Sequence, residues 1–416
     1  MSEVFEFSSG DGAGHVDEAV ESRTANAAPA RARAVQDWPV LVVSNGFQKN
    51  YERGFCNGLE DYGYEAVLVS SDESDYKGLR SSLRWINLRR SQDAKRPRWR
   101  KLADIIAYNL KLMGFVAIRR NWIVHMIGLI DPPWLCGIVE GIWFRMWARR
   151  YVMTVHNLMP HDDDSAWTER MLCWSYRLAN CVVAHTPRMR QDLIERYGIK
   201  PERILVMEHG IEPLTERGLL TDRPPRDPHI PLRLLAFGKV MRYKGIDVLL
   251  QGLTKVDFPF ELTIAGKSYD AGLTRELRRQ IAAHPCAASI HWDDDYVPED
   301  DLARIFTSAD ALVLPYRRID QSGVLFQALR YGLPIVATRV GEFASYVRAD
   351  VGTLCEPGDP DDMARALRDM AARLPAFDRH GIAQFGATFE WQRTVAALDA
   401  AYDRHARHAA RQPASP

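Results

Sequence analysis

The chain has 416 residues, with 54 lysines and arginines against 54 aspartates and glutamates, and 46% of it is hydrophobic. Zero net charge excludes a nucleic-acid binder that relies on bulk positive charge, and this apolar content excludes a disordered chain. The length allows two domains with separate cores, and six cysteines without paired ligand spacing read as buried thiols of a reducing compartment rather than a metal site.

No apolar run reaches the length of a membrane span, and the first residues lack the apolar heart of a signal peptide. A cytoplasmic protein with a disordered arm over residues 1–37 is expected. Val40 to Ser44 then reads as the first strand, running into Asn45-Gly46; Tyr51 to Tyr62 reads as a helix stopped by Gly63, and Glu65 to Val69 as the next strand. A glycine-led turn of this kind, without a full glycine fingerprint, identifies no ligand by itself.

Residues 89–101 concentrate positive charge beside Trp85 and Trp99, and the apolar stretch from Leu102 to Ile118 ends at Arg119-Arg120. Such a pattern suits a protein resting peripherally on an anionic leaflet, at the inner face of the cell membrane; a solvated loop leading into a core helix is the alternative. Ile123 to Ile127 follows as a strand, and Ile138 to Trp147 as an aromatic-rich helix. The strand Tyr151 to Val155 ends in His156, with His161 and three aspartates, Asp162 to Asp164, just beyond it. Polar residues past the carboxyl end of a parallel strand lie at a cleft edge, so His156 and His161 are candidates to touch a substrate. The aspartates would need further ligands to hold a cation, and a solvated helix start capped by Asp164 or Ser165 is the simpler reading.

Cys181 to Ala184 and Ile204 to Met207 read as strands around a helix from Arg188 to Tyr197. The proline- and arginine-rich residues 211–232 read as an interdomain linker separating residues 38–210 from residues 233–388. The second half restarts the alternation with Leu234 to Gly238, and strands are expected again at Glu261 to Ala265 and Ser289 to Trp292. Lys239, Arg242 and Lys244 stand in the first strand-to-helix loop, where three cations suit a diphosphate; a basic surface turn is the alternative.

The stretch from Ala311 to Thr338 is the most informative. It reads as strand, polar loop, helix and strand, with Ser322 as N-cap, Gly332 as C-terminal cap, and Val324, Leu325, Ala328 and Leu329 on the buried face. Free N–H groups at Ser322, Gly323 and Val324, with Gln321 before them, would offer an anion the positive end of the helix dipole; an ordinary βαβ turn remains the alternative.

The segments FGKVMRYKGIDVLL, QSGVLFQALRYGLPIVAT, MTVHNLMPH, VVAHTPRMRQDLIERYG and ILVMEHGI together resemble the family-4 type of retaining glycosyltransferase, over roughly Val40 to Arg404. The resemblance implies an α/β protein of GT-B architecture, two Rossmann-like parallel-sheet domains facing across a cleft, with a terminal helix (389–406) crossing back to the first domain and a disordered tail (407–416). It implies transfer of a hexose from a nucleotide-diphosphate sugar, with no cofactor and no obligatory metal, to a lipid-linked or polysaccharide acceptor in exopolysaccharide or cell-envelope glycan synthesis. Lys239 and Lys244, with Arg242 beside them, match its diphosphate contacts. The acceptor would approach from Asn45, Gly46 and His161.

The chain departs from the family pattern at its acid pair, where Ile319 and Gln327 stand. Asp320, displaced by one residue, is the candidate for the first acid, and Gln327 keeps the hydrogen-bonding capacity but not the charge of the second. The family histidine in a His-x-His stretch is absent at His125, leaving His156 as the nearest replacement. These departures keep open a catalytically silent nucleotide-sugar-binding scaffold, and a soluble small-molecule glycosyltransferase is the alternative to a membrane-held acceptor. A paired-Rossmann dehydrogenase is disfavoured, because the glycine fingerprint and its acidic ribose ligand are missing.

Overall fold

Four consecutive apolar residues, Val40–Val43, form β1, and all four are buried. A strand with both faces covered has to sit inside a parallel sheet. In this computed structural model, which describes residues 38–44, 49–91, 93, 96–128, 134–156, 158, 165–212, 230–319 and 321–402, that is where β1 lies.

It is flanked by β2 (Ala66–Ser70) and β4 (Ile123–Met126) in a seven-stranded parallel sheet of order β3-β2-β1-β4-β5-β6-β7. The other strands are β3 (Arg84–Asn87), β5 (Arg150–Val155), β6 (Cys181–Ala184) and β7 (Ile204–Val206). The helices of this half are α1 (Lys49–Tyr62), α2 (Arg98–Ile118), α3 (Glu140–Trp147), α4 (Ala166–Leu178) and α5 (Pro187–Glu195).

Because side chains alternate along a strand, β1 supplies two cores. Leu41 and Val43 pack with Tyr108, Leu112 and Val116 of α2 and Phe144 of α3, whereas Val40 and Val42 pack with Phe55 and Leu59 of α1. The sequence places α2 from Leu102, but the helix begins at Arg98, so part of the basic segment is helical. β3, with its exposed and half-buried residues, is not foreseen, since nothing in its composition marks it.

The second sheet repeats the plan with six parallel strands, β10-β9-β8-β11-β12-β13. These are β8 (Leu232–Phe237), β9 (Phe260–Ala265), β10 (Ile290–Asp293), β11 (Ala311–Leu314), β12 (Ile335–Thr338) and β13 (Gly352–Cys355). Its helices are α6 (Ile246–Leu253), α7 (Ala271–Ala283), α8 (Leu302–Ser308), α9 (Gly323–Arg330), α10 (Phe343–Tyr346), α11 (Pro360–Arg373) and α12 (Arg379–Ala387). In both sheets strand order reverses beside the first strand, and ligands of such folds gather at that switch point, outside the strands' carboxyl ends.

The closing segment returns to the first sheet. A continuous helix is expected from Phe389, but the chain forms two short helices, α13 (Trp391–Thr394) and α14 (Asp399–Tyr402), joined by a tighter turn. Trp391 is seated against three glycines: a β-carbon would fall 2.1 Å from its ring at Gly54 and at Gly210, and 2.6 Å from its own β-carbon at Gly58. Tyr402 donates or accepts at His125 Nδ1 over 2.6 Å, and Thr154 meets the other ring nitrogen at 2.8 Å. His125 is therefore a core histidine, fully buried and satisfied.

No helix among the described residues is long and apolar enough to cross a membrane. The N-terminal arm, most of the expected linker, the tail, and the candidates Asn45, Gly46, His161 and Asp320 lie outside the described residues.

Candidate active site

The cleft is built from loops at the carboxyl ends of both sheets. From the second domain come the turn after β8 and the loop between β11 and α9. Gly245 has φ +66° and caps α6. A β-carbon there would lie 2.0 Å from the carbonyl oxygen of Pro315, so the two loops touch only because this residue has no side chain. Arg317, unforeseen from sequence, clamps the same junction, donating to both oxygens of Asp247 at 2.7 and 2.6 Å and to the Arg242 carbonyl at 3.1 Å. Gly245→Ala is expected to cost about 3 kcal/mol or more, combining left-handed strain with backbone overlap, as read by chemical denaturation.

Within this frame the three loop cations separate. Lys244 is 7% exposed, and its Nζ lies 3.4 Å from the Phe237 carbonyl and 5.3 Å from the centre of the Tyr316 ring. Burial lowers its pKa to about 8. Lys239 lies over Tyr269 at 5.3 Å and faces the cavity. Arg242 does not face it: its guanidinium pairs with Glu276 at 3.1 Å on the exposed side of the loop. The spacing of three cations cannot reveal this, because a single turn of 3₁₀ helix at 242–244, with three residues per turn, points Arg242 and Lys244 about 120° apart.

Opposite stands the N-terminus of α9. Ser322 occupies the N-cap position with extended backbone, but its side chain makes no capping bond. A β-carbon on Gly323 would meet nothing within 4 Å, so the backbone there opens onto the cleft. The buried face of α9 is Leu325, Phe326, Ala328 and Leu329; Val324, expected among them, is only partly buried and lines the cavity. Gln327 Oε1 and Gln321 Nε2 are shielded from solvent, and among the described residues neither has a hydrogen-bond partner. Both line the cleft, so each can offer a hydrogen bond to a molecule bound there.

The first domain contributes an aromatic and imidazole wall. His156 follows β5, His185 follows β6, and His209 follows β7. Tyr51 of α1 sits among them, its ring edge-on to His156 at 4.3 Å and to Trp391 at 4.8 Å. Hydrogen bonds fix the tautomers. His185 Nδ1 lies 2.9 Å from the Met207 carbonyl and must donate to it, which leaves His185 Nε2 as an acceptor 3.3 Å from His156 Nδ1. His156 Nδ1 therefore carries the proton, and its Nε2 is shielded and has no hydrogen-bond partner among the described residues of this cleft wall. Burial first, then the neighbouring His185 and His209, holds the His156 pKa well below its ordinary value, so the ring is neutral at pH 7.

Two connecting cavities result, of about 450 and 600 Å³, sharing Asn50, Tyr51, His209, Tyr296 and Gly323. The first is lined by Lys239, Gly266, Val297 and Gln327, the second by His156, Lys244, Gln321 and Ser322. The two domains are joined across one edge by Arg53 of α1. It donates twice to Glu212 at 2.7 Å and to Glu299 at 2.8 Å, and Asp75 accepts at 2.5 Å. Sequence reasoning misses Arg53, because its partners are 22, 159 and 246 residues away. Among the described residues no group of three or more His, Cys, Asp or Glu side chains is arranged to hold a metal ion.

The chain matches the family model described as glycosyl transferases group 1 over residues 231–373, and that of Glycosyltransferase Family 4 over residues 50–213. A D-inositol 3-phosphate glycosyltransferase of Catenulispora acidiphila is 30% identical over 299 residues, 65% of this chain and 70% of the relative. One from Geodermatophilus obscurus is 31% identical over 65% of this chain and 64% of its own length. Among solved structures, Anabaena HepE in complex with UDP aligns with a TM-score of 0.67 at 15% identity, over 87% of this chain and all of that one. Sucrose-phosphate synthase from Thermosynechococcus elongatus aligns with a TM-score of 0.68 at 18% identity, over 89% of this chain and all of that one. With both halves matched in order and the two-sheet architecture shared, the chain belongs to the group 1, family-4 type of glycosyltransferase and has the GT-B fold.

Proposed function

We propose that this glycosyltransferase moves a hexose from a nucleotide-diphosphate sugar to a hydroxyl of a small acceptor, with retention of anomeric configuration and without a metal. The observation that carries this reading is the convergence of buried Lys244, the open N-terminus of α9 and His156 on the lining of one cavity. The nucleoside fits the first cavity, where Gln327 can meet ribose hydroxyls and Lys239 the diphosphate. The sugar and acceptor fit the second.

As the bond from the anomeric carbon to the phosphate oxygen breaks, Lys244 and the backbone N–H groups of Gly323 and Val324 stabilise the charge that develops on the leaving diphosphate. The acceptor oxygen bonds to the same face of that carbon, and its proton passes to the departing phosphate oxygen. No carboxylate nucleophile is needed, which accommodates Ile319 and Gln327 at the positions of the family acids.

A small acceptor is favoured over the lipid-linked or polysaccharide one expected from sequence, for two reasons. The curated relatives are named for D-inositol 3-phosphate, and a cavity of about 600 Å³ is of the size that encloses a small ligand. A lipid-linked acceptor is the second reading, favoured by exposed apolar residues on α2. The test is incubation with UDP-, GDP- and ADP-hexoses and either D-inositol 3-phosphate or a polyprenyl diphosphate sugar, with the product anomer assigned by NMR. Retained configuration on the small acceptor is expected. Inversion would refute the mechanism, and donor binding without any transfer or hydrolysis would restore the silent-scaffold reading.

A further inference from the structure

The helices α2, α3 and α4 cover one face of the first sheet, burying Tyr108, Leu112, Val116, Phe144, Leu172 and Tyr176 beneath them. Their outer surface is unusually apolar. On α2, Trp99, Leu102, Ile106 and Leu110 recur at intervals of three or four residues, which places them along one stripe, and they are 68, 59, 52 and 67% exposed. Ile142 and Met146 of α3 and Trp167 and Trp174 of α4 are also exposed. These residues make up most of the large exposed hydrophobics of the described chain, so the patch is concentrated rather than scattered.

The charge on its α2 and α3 part is positive, and the acid of α4, Glu169, is ion-paired with Arg196 at 3.0 Å. Arg100, Lys111, Arg120, Arg145 and Arg149 are exposed on or beside α2 and α3. The acids of the same helices are withdrawn: Asp104 is ion-paired with Arg90 and Arg96, and Glu140 is fully buried. The chain as a whole is neutral, so this is a local asymmetry. Strand β3 runs toward the cleft and α2 runs back from it, so Trp99, Arg100 and Lys101 lie at the cleft end of the layer.

We infer that the outer face of α2, with α3 beside it, docks on an anionic bilayer surface, its apolar stripe entering the headgroup boundary and its cations meeting lipid phosphates. A helix with an apolar stripe and flanking Lys and Arg is the form that binds in the plane of an interface. Two copies of this chain would fit poorly face to face, because each would bring the same exposed cations against the other. The inference rests on the surface alone and is independent of the reading of the cleft, since a soluble donor and acceptor can reach the cleft whether or not the face is docked.

The test is co-sedimentation of the full chain with vesicles of phosphatidylcholine alone and with added phosphatidylglycerol, at low and high salt. Binding to the anionic vesicles that weakens about tenfold in high salt or in the Ile106→Glu, Leu110→Glu double variant is expected. The variant's unchanged circular dichroism and unchanged transfer between soluble substrates would show that the loss comes from the surface. No sedimentation of the wild-type chain with anionic vesicles would overturn the inference, as would equal binding by the double variant. A wild-type dimer in solution that the same substitutions dissociate would assign the face to a second copy instead and overturn it equally.

Discussion

His156→Ala is expected to lower kcat by about 10- to 100-fold while leaving the nucleotide dissociation constant within about a factor of three, the loss of one hydrogen bond in a site that otherwise stays formed. The geometry says which kind of bond. His156 Nδ1 donates along the chain that ends at the Met207 carbonyl, and Nε2 is left as a shielded acceptor on a residue that lines the cavity. An effective general base has a pKa near the working pH, whereas burial and two neighbouring imidazoles push this one well down. The ring is then a poor proton acceptor and a good hydrogen-bond acceptor, suited to orienting a sugar or acceptor hydroxyl while the leaving phosphate takes the proton. Steady-state kinetics with isothermal titration of the nucleotide separate the two quantities. His156→Gln, which keeps an acceptor oxygen, should recover part of kcat, and the pH profile should show no limb between pH 6 and 8 that disappears with the variant. A variant that loses nucleotide binding and turnover alike would place His156 in the donor site instead.

The fold was legible because it is written in local signals. Fully apolar runs bounded by turn residues marked β1, β6 and β11 within a residue of their true limits, and the caps of α9 stood at Ser322 and Gly332, whose φ of +58° needs a glycine. What failed was what local pattern does not encode. β3 is an edge strand whose exposed residues carry no alternation, and the helix expected from Phe389 starts at Trp391 and tightens into a 3₁₀ turn over Val395–Leu398, while Trp391, Val395, Leu398 and Tyr402 keep helical spacing against the first domain.

The site was legible to the same degree. Lys239, Lys244, the loop Gln321–Val324, Gln327 and His156 all border the cleft, since each follows the carboxyl end of a parallel strand or lies on the helix facing it. Arg242 does not, because its side chain is taken by Glu276. Tyr51, Trp391 and the Arg53 network could not be named, because they act only through contacts between segments far apart in the chain. Position after a strand did mark His185 and His209 as cleft residues, and that rule, applied to every strand rather than to β5 alone, would have found them.

Lys244→Ala is expected to weaken nucleoside-diphosphate binding by about 10- to 100-fold and to lower kcat by a further factor of about 100, because in the proposed function the ammonium contacts the diphosphate in the ground state and meets more charge on it as the sugar leaves. The two effects multiply in kcat/KM. Lys244→Met keeps the volume of the side chain without its charge, so a loss shared by both variants is electrostatic and a loss confined to the alanine variant is packing. The pKa supplies an independent reading. Burial lowers it to about 8, and the charged form is the one that binds an anion. Below pH 8 the ammonium is present and affinity is at its plateau. Above pH 8 the free protein loses the proton, while in the complex the diphosphate holds it, so affinity should fall about tenfold per pH unit until the higher pKa of the complex is passed. Calorimetric titration with the preferred nucleotide across this range should show the fall in the wild type and a flat response in Lys244→Met. A wild-type affinity unchanged from pH 7 to beyond pH 9 would remove Lys244 from the diphosphate site and leave Lys239 with the N-terminus of α9 as its anion contacts.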